Sequence, residues 1–190
     1  MSRKLVLTSQ IPPSVNHYLS YRTVMSKSGK PIGMSYTTAE AKKYRKNFAE
    51  YVREEVVNQG WDVEVNTKQH FYVDGWFYFP RTDVDANNYW KILLDAITDT
   101  QAIWADDNVV CERVQRIQYD SANPRIEIQI TPVDYVGIFD SSDQKDGFIQ
   151  SNCIGCTRYK RNCSILKKAI EGRIQNEITN TECYARKCSK

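Results

Sequence analysis

No stretch of the 190 residues is apolar for long enough to span a membrane. The first ten residues, M-S-R-K-L-V-L-T-S-Q, lack the apolar centre of a signal peptide. Both absences predict a cytoplasmic protein with no membrane partner. Its six cysteines are then expected as thiols or metal ligands rather than disulfides. Histidine is scarce, and His17 is read as a packed or solvent-facing side chain rather than a ligand. No internal repeat is visible. Neither charge sign dominates either: residues 1–133 carry 16 Lys+Arg against 16 Asp+Glu. The whole net charge of +3 comes from residues 134–190, with 10 basic against 7 acidic, and from Gly147 onward the count is 9 against 3. A basic tail on a balanced core suits an anionic partner, nucleic acid first.

What is present divides into three parts: a domain over 1–133, a polar linker over 134–146 and a cysteine-rich unit over 147–190. Leu5 and Leu7 alternate in a short first strand. The prolines of I-P-P-S-V-N-H-Y, residues 11–18, predict an extended loop. Residues 22–36, with Ser, Gly, Lys and Pro, read as a mobile basic loop. Thr37 and Glu40 predict a capping box for a helix with Ala41, Tyr44, Phe48, Tyr51, Val52 and Val56 on its core stripe, ended by Gly60. Residues 68–79 alternate as a strand that is aromatic on both faces, which predicts a central or partly covered position. A second helix places Trp90, Leu93, Leu94 and Ile97 on one apolar stripe. Two strands follow, Val109–Tyr119 and Arg125–Thr131, joined by a turn at Ser121–Pro124. The order is β-α-β-α-β-β: an α/β fold, a small domain with a mixed sheet.

The chemistry concentrates in R-T-D-V-D-A-N-N-Y-W-K-I-L-L-D-A-I-T-D-T-Q-A-I-W-A-D-D-N-V-V, residues 81–110. Asp83 and Asp85 leave an extended strand on one face. Asn88, Lys91 and Asp95 form the stripe opposite the apolar one. Asp106 and Asp107 close the segment. Carboxylates in that number repel unless a cation sits among them, and a hard divalent ion such as Mg²⁺ takes one or two carboxylates with several waters. A solvated acidic loop is the other reading, since Asp and Asn are ordinary turn residues.

The loop P-P-S-V-N-H-Y, a helix, D-x-D…N-x-x-K-x-x-x-D-A and W-x-D-D-x-x-V, in that order, resemble the RusA family of Holliday junction resolvases over residues 3–132. The resemblance implies a mixed α/β domain, a homodimer, and Mg²⁺-dependent nicking of opposed strands in four-way, branched DNA, in a phage- or prophage-encoded protein. It implies catalytic carboxylates at Asp83, Asp85 and Asp107, with Asp106 beside them at the metal. Lys91 falls on the family's lysine, in catalysis or phosphate contact, and Asn16 and Asn88 on its asparagines. The usual pattern is D-x-D-N-x-x-K, whereas here Ala86 and Asn87 intervene. Anchoring on N-x-x-K instead would pair Asp85 with Asn87 and leave Asp83 outside, so Asp85 belongs to the site in either register. The shifted asparagine keeps a second function in view: a DNA-binding recombination or packaging accessory that has lost the chemistry.

In the tail, C-I-G-C (Cys153, Cys156) has the spacing of a zinc knuckle, and Cys163 and Cys183 complete a candidate structural Zn site, with Cys188 as rival for the fourth place. The same thiolates suit an iron–sulfur cluster. Ser164–Ile178 reads as a helix with Ile165, Leu166, Ala169, Ile170 and Ile174 inward. About forty residues bury too little to fold unaided, so a metal staple is physically motivated.

Overall fold

The computed structural model describes residues 3–65 and 69–187. The chain forms two compact units, Met1–Pro132 and Val133–Lys190. In the first unit the elements are β1 (Leu5–Gln10), α1 (Val15–Tyr18), β2 (Leu19–Met25), β3 (Pro31–Thr37), α2 (Ala39–Asn58), β4 (Phe71–Phe79), α3 (Asn87–Thr98), β5 (Val110–Tyr119) and β6 (Arg125–Pro132). In the second they are α4 (Ser142–Phe148), α5 (Ser164–Ile170), β7 (Ile178–Thr179) and β8 (Glu182–Cys183). No helix among the described residues is long and apolar enough to cross a membrane.

The first unit rests on a mixed sheet in the order β1-β6-β4-β5. β4 pairs antiparallel with β6 and parallel with β5, and β6 pairs antiparallel with β1. A parallel pair needs a long crossover, and α3 supplies it between β4 and β5. The side chains of one sheet face, among them Leu5, Leu7, Phe71, Phe77, Ile126 and Ile128, are fully buried with Trp90, Leu93 and Ile97 of α3 and Phe48 and Val52 of α2. The long aromatic strand is central, as its two-faced pattern predicts.

The opposite face of β4 has a different solution. Asp74 is only 5% exposed, yet it sits on this face. Arg113 grips it through Nε and Nη2, both at 2.7 Å, and stacks 3.8 Å over the ring of Tyr72. Arg125 stacks 3.7 Å over Tyr78 while pairing with Asp120 and Glu127. Planar guanidinium groups thus cover aromatic rings and satisfy a buried carboxylate together.

Three expectations for the first unit are corrected. The segment 11–18 is not extended throughout: Ser14 starts the single helical turn α1, and the prolines precede it. Residues 22–36 are not a loose loop but most of a two-stranded ribbon, β2 with β3, inserted between β1 and α2. The cap of α2 is Thr38, whose Oγ1 accepts the N–H of Ala41 at 3.3 Å, because Thr37 is still paired in β3. Gly60, at φ +63°, turns the chain away after α2 as anticipated.

In the second unit, residues 134–146 are not a linker. Phe139, within that stretch, is buried with Phe148, Cys153 and Ala169, and Ser141 caps α4 through Oγ. α5 stops at Ile170 rather than Ile178. The chain turns at Gly172, φ +83°, which leaves Ile174 82% exposed. Gly137, also left-handed at φ +62°, lets its backbone pass against Ala169 and Ile170, where a Cβ would lie 2.0 Å from the Ala169 carbonyl oxygen.

Gly75 tests the first core. A Cβ at this position in β4 would lie 2.6 Å from the Trp90 ring and 2.8 Å from the Phe77 ring. Gly75→Ala should lower stability by about 1–3 kcal/mol, read as a reduced Tm. An unchanged Tm would show that Trp90 is not held against β4.

Candidate active site

α3 carries the site because its two ends are fixed differently. At its start, the Asp85 carboxylate accepts the N–H of Asn87 at 2.9 Å, and the Asp85 carbonyl accepts the N–H of Asn88 at 3.2 Å. The negative group therefore sits where the helix dipole favours it. One turn on, Trp90, Leu93 and Leu94 enter the core, and Asn87 and Lys91 are left on the rim. There an open cleft is lined by Asn87, Trp90, Lys91, Leu94, Asp107 and Glu112.

Lys91 is held from two sides. Its Nζ donates to Asp95 Oδ1 at 2.8 Å and lies 3.9 Å from Asp107 Oδ2. Asp95 is itself shared: the Tyr18 hydroxyl donates to Oδ2 at 2.6 Å, and Arg45 stands 3.9 Å away. Arg45 also donates to the Tyr18 oxygen at 3.0 Å and forks onto Asp99 at 2.9 and 2.6 Å. The hydrogen bond to Asp95 raises the pKa of Lys91, with the charges of Asp95 and Asp107 adding to it. Burial, then the bond to Asp95, raises that of Tyr18. Both groups therefore keep their protons at neutral pH: Lys91 is a cation and Tyr18 a neutral donor.

The remaining expected residues are dispersed around this centre. Asp83 is exposed and paired with Arg81 at 2.8 Å. The Tyr89 hydroxyl, raised chiefly by burial, also feels Arg81, Asp83 and Asp85. Asp106 accepts the N–H of Asn108 at 2.9 Å and orders the turn Asp107–Val109 that presents Asp107. Asn87 lines the cleft, whereas Asn88 is half-buried. Asn16 is exposed on α1. His17 faces Ser14, Nδ1 to Oγ 3.1 Å. Glu112, which the sequence pattern does not single out, also lines the cleft.

No group of three or more His, Cys, Asp or Glu side chains among the described residues is placed to hold a metal. The four aspartates Asp83, Asp85, Asp106 and Asp107 do not form one cage: Asp83 pairs with Arg81, Asp85 and Asp106 each accept a backbone N–H, and of the four Asp107 alone lines the cleft. Magnesium asks for less: one or two carboxylates, with waters and phosphate oxygens completing its shell. Asp107 and Glu112, two oxygen donors in one open cleft, fit that requirement.

In the second unit, the N–H of Cys156 donates to the Cys153 carbonyl at 2.9 Å, closing the C-I-G-C turn. Burial pushes the Cys153 thiol up to about 11, and Cys163, Cys183 and Cys156 add to the rise. Backbone N–H groups of Lys187, Arg158 and Tyr159 lower the Cys156 thiol. The four thiols thus share one electrostatic neighbourhood. Cys188 lies outside the described residues.

The family model described as endodeoxyribonuclease RusA matches residues 12–131, nearly all of the first unit. No curated protein matches the chain.

Two measurements check these geometries. Asp95→Asn should lower the Lys91 pKa towards its ordinary 10.5, read by NMR titration of the lysine side chain; an unshifted value would show that Asp95 does not hold the cation. Because the folded value lies above the ordinary one, this contact stabilises the fold throughout neutral pH and fades only as pH rises through the lysine range. In metal-free protein at pH 8, alkylation should reach Cys156 well before Cys153, read by mass spectrometry. Equal rates would mean that burial does not suppress the Cys153 thiolate.

Proposed function

The chain belongs to the RusA family of endodeoxyribonucleases, hydrolases of DNA phosphodiester bonds that resolve Holliday junctions, and we propose that it nicks four-way DNA at the cleft between α3 and the Asp107 turn. The observation that carries the placement is Lys91, fixed by Asp95 and facing Asp107 at 3.9 Å in that cleft. A cation anchored beside a carboxylate in an open groove suits a phosphate group better than a neutral ligand.

Asp85 and Asp107 would hold Mg²⁺, with Glu112 as the further oxygen donor of the cleft and Asp83 and Asp106 outside it. Such an ion supplies a water of lowered pKa and neutralises charge on the phosphate oxygens. The protein's own part is positioning. Lys91 stays protonated and offers its ammonium to the non-bridging phosphate oxygens as their charge grows. Asp95 and Tyr18 keep that ammonium from swinging into solvent. Asn87 presents a neutral donor and acceptor to the backbone of the bound strand. Asn16 and Asn88, on the family's positions, would support the bound strand from the α1 and α3 sides. Tyr18 is a positioning residue, since it acts through Asp95.

Nicking two opposed strands needs two cleavage centres, so the working form is a homodimer. The balanced charge of the first unit and the basic second unit suit a DNA partner, which a bacterial cytoplasm supplies. The second unit is proposed as a small DNA-facing module in which zinc would draw together Cys153, Cys156, Cys163 and Cys183, thiols that share one neighbourhood without being gathered into a ligand set, and its small apolar core supports the need for a staple.

Asp107→Asn should lower the nicking rate on a synthetic four-way junction by at least about 100-fold in Mg²⁺ while junction binding persists. A variant that nicks at the wild-type rate would remove Asp107 from the chemistry. Wild-type protein that binds junctions but never nicks them, with or without Mg²⁺, would favour the accessory role instead. Metal analysis of the full-length protein should find about one zinc per chain, and its absence would end the staple.

A further inference from the structure

The ribbon β2–β3 belongs to neither the sheet nor the cleft, and almost all of it is exposed. An isolated two-stranded hairpin is marginal in water, so a ribbon this open gains from a surface to lie on. Cross-strand partners share a face. One face therefore carries Ser20–Tyr36, Arg22–Met34 and Val24–Ile32, and the other Tyr21–Ser35 and Met25–Pro31. Tyr21, Met25, Ile32, Met34 and Tyr36 are between 41% and 77% exposed.

Its charge has one sign. From Leu19 to Thr37 the chain holds Arg22, Lys27 and Lys30 and no acid. Arg22 is carried over the ring of Tyr36, 5.4 Å to its centroid, and no ion pair engages any of the three cations among the described residues. The tip is built rather than loose. Ser26 N–H donates to the Lys30 carbonyl at 2.8 Å, Ser26 Oγ accepts the Lys30 N–H at 3.0 Å, and Gly29 turns at φ +75°.

Its root lies at the active site. The Thr38 N–H donates to the Tyr18 carbonyl at 3.0 Å, and Thr38 Oγ1 donates to the His17 carbonyl at 3.0 Å, so the two strands leave and return at one point. Tyr18, immediately before β2, is the residue whose hydroxyl holds Asp95.

We propose that the ribbon β2–β3 is a DNA-gripping arm, in which Arg22, Lys27 and Lys30 contact backbone phosphates of a duplex arm next to the cleavage point. The major groove of B-DNA admits a two-stranded ribbon. A second copy of this chain is the less favourable occupant, because facing ribbons would set three cations against three. The proposal rests on the nuclease reading and adds the surface through which substrate is held.

The test measures junction affinity of the full-length protein by fluorescence anisotropy between 50 and 200 mM salt. Each lost phosphate contact reduces the slope of log K against log[salt] by about 0.9, so Arg22→Ala/Lys27→Ala/Lys30→Ala should lose up to about 2.7 of the slope. The charge-keeping variant Arg22→Lys/Lys27→Arg/Lys30→Arg should retain it, and circular dichroism should show an unchanged fold in both. A triple-alanine slope equal to wild type overturns the arm. So does a triple-alanine variant whose only change is a weaker dimer by sedimentation, which would make the ribbon a protein interface. The nuclease reading fails separately, in wild-type protein that binds the junction with its full salt slope yet never nicks it in Mg²⁺.

Discussion

The Asp95 carboxylate is the point on which the first unit is strung together. One oxygen accepts the Tyr18 hydroxyl and the other the Lys91 ammonium, with Arg45 of α2 beside them. Two segments far apart in sequence, α1 and α2, thus join Lys91 on one acid of α3 that is only 14% exposed in its side chain. A largely buried carboxylate without partners would be costly; this one has two donors and a nearby guanidinium, and it gives Lys91 one direction. Removing any donor changes what remains on the others, so the group acts as a unit rather than as separable pairs.

Much of this was legible in the sequence. The apolar stripes of α2 and α3, the central aromatic strand and the two final strands follow from periodicity, because burial on one side imposes it. Asp107 and Lys91 could be picked out by residue type and spacing, and the structure brings them to one cleft. Asp83 and Asp106 are the less secure members in sequence, and their partners, Arg81 for Asp83 and the N–H of Asn108 for Asp106, depend on which direction each side chain leaves the backbone. Tyr18 ends the segment I-P-P-S-V-N-H-Y, and its bond to Asp95 spans 77 residues, beyond any local pattern. The ribbon read as a loop because Ser, Gly, Lys and Pro are turn-formers. Its pairing lies in the alternation of Tyr21, Thr23 and Met25 against Ser35 and Gly33, which has no buried face to announce it.

The second unit was misread for a related reason. Pro132 and the acidic run after it suggested a spacer, but Phe139 and Phe148 supply two of the four buried side chains of its core. A core so small gives the apolar pattern little amplitude, so polar composition dominated the reading. In the first unit, the uncovered sheet face shows how such a shortage is met without a second layer. Arg113 and Arg125 lie flat on Tyr72 and Tyr78, and each also satisfies acids. Lysine could not replace them there, having no plane to stack and no fork to share.

The ribbon leaves and re-enters the first unit at a single hydrogen-bonded junction, Tyr18 with Thr38. Its length is therefore decoupled from everything below that junction. Adding or removing one residue pair on each strand exchanges the two faces, and two pairs restore them, while α2 and the sheet stay untouched. The fold in this way carries a reach that can be graded in steps of a few ångströms, open to variation between relatives or to deliberate engineering, with the cleft beneath it unchanged.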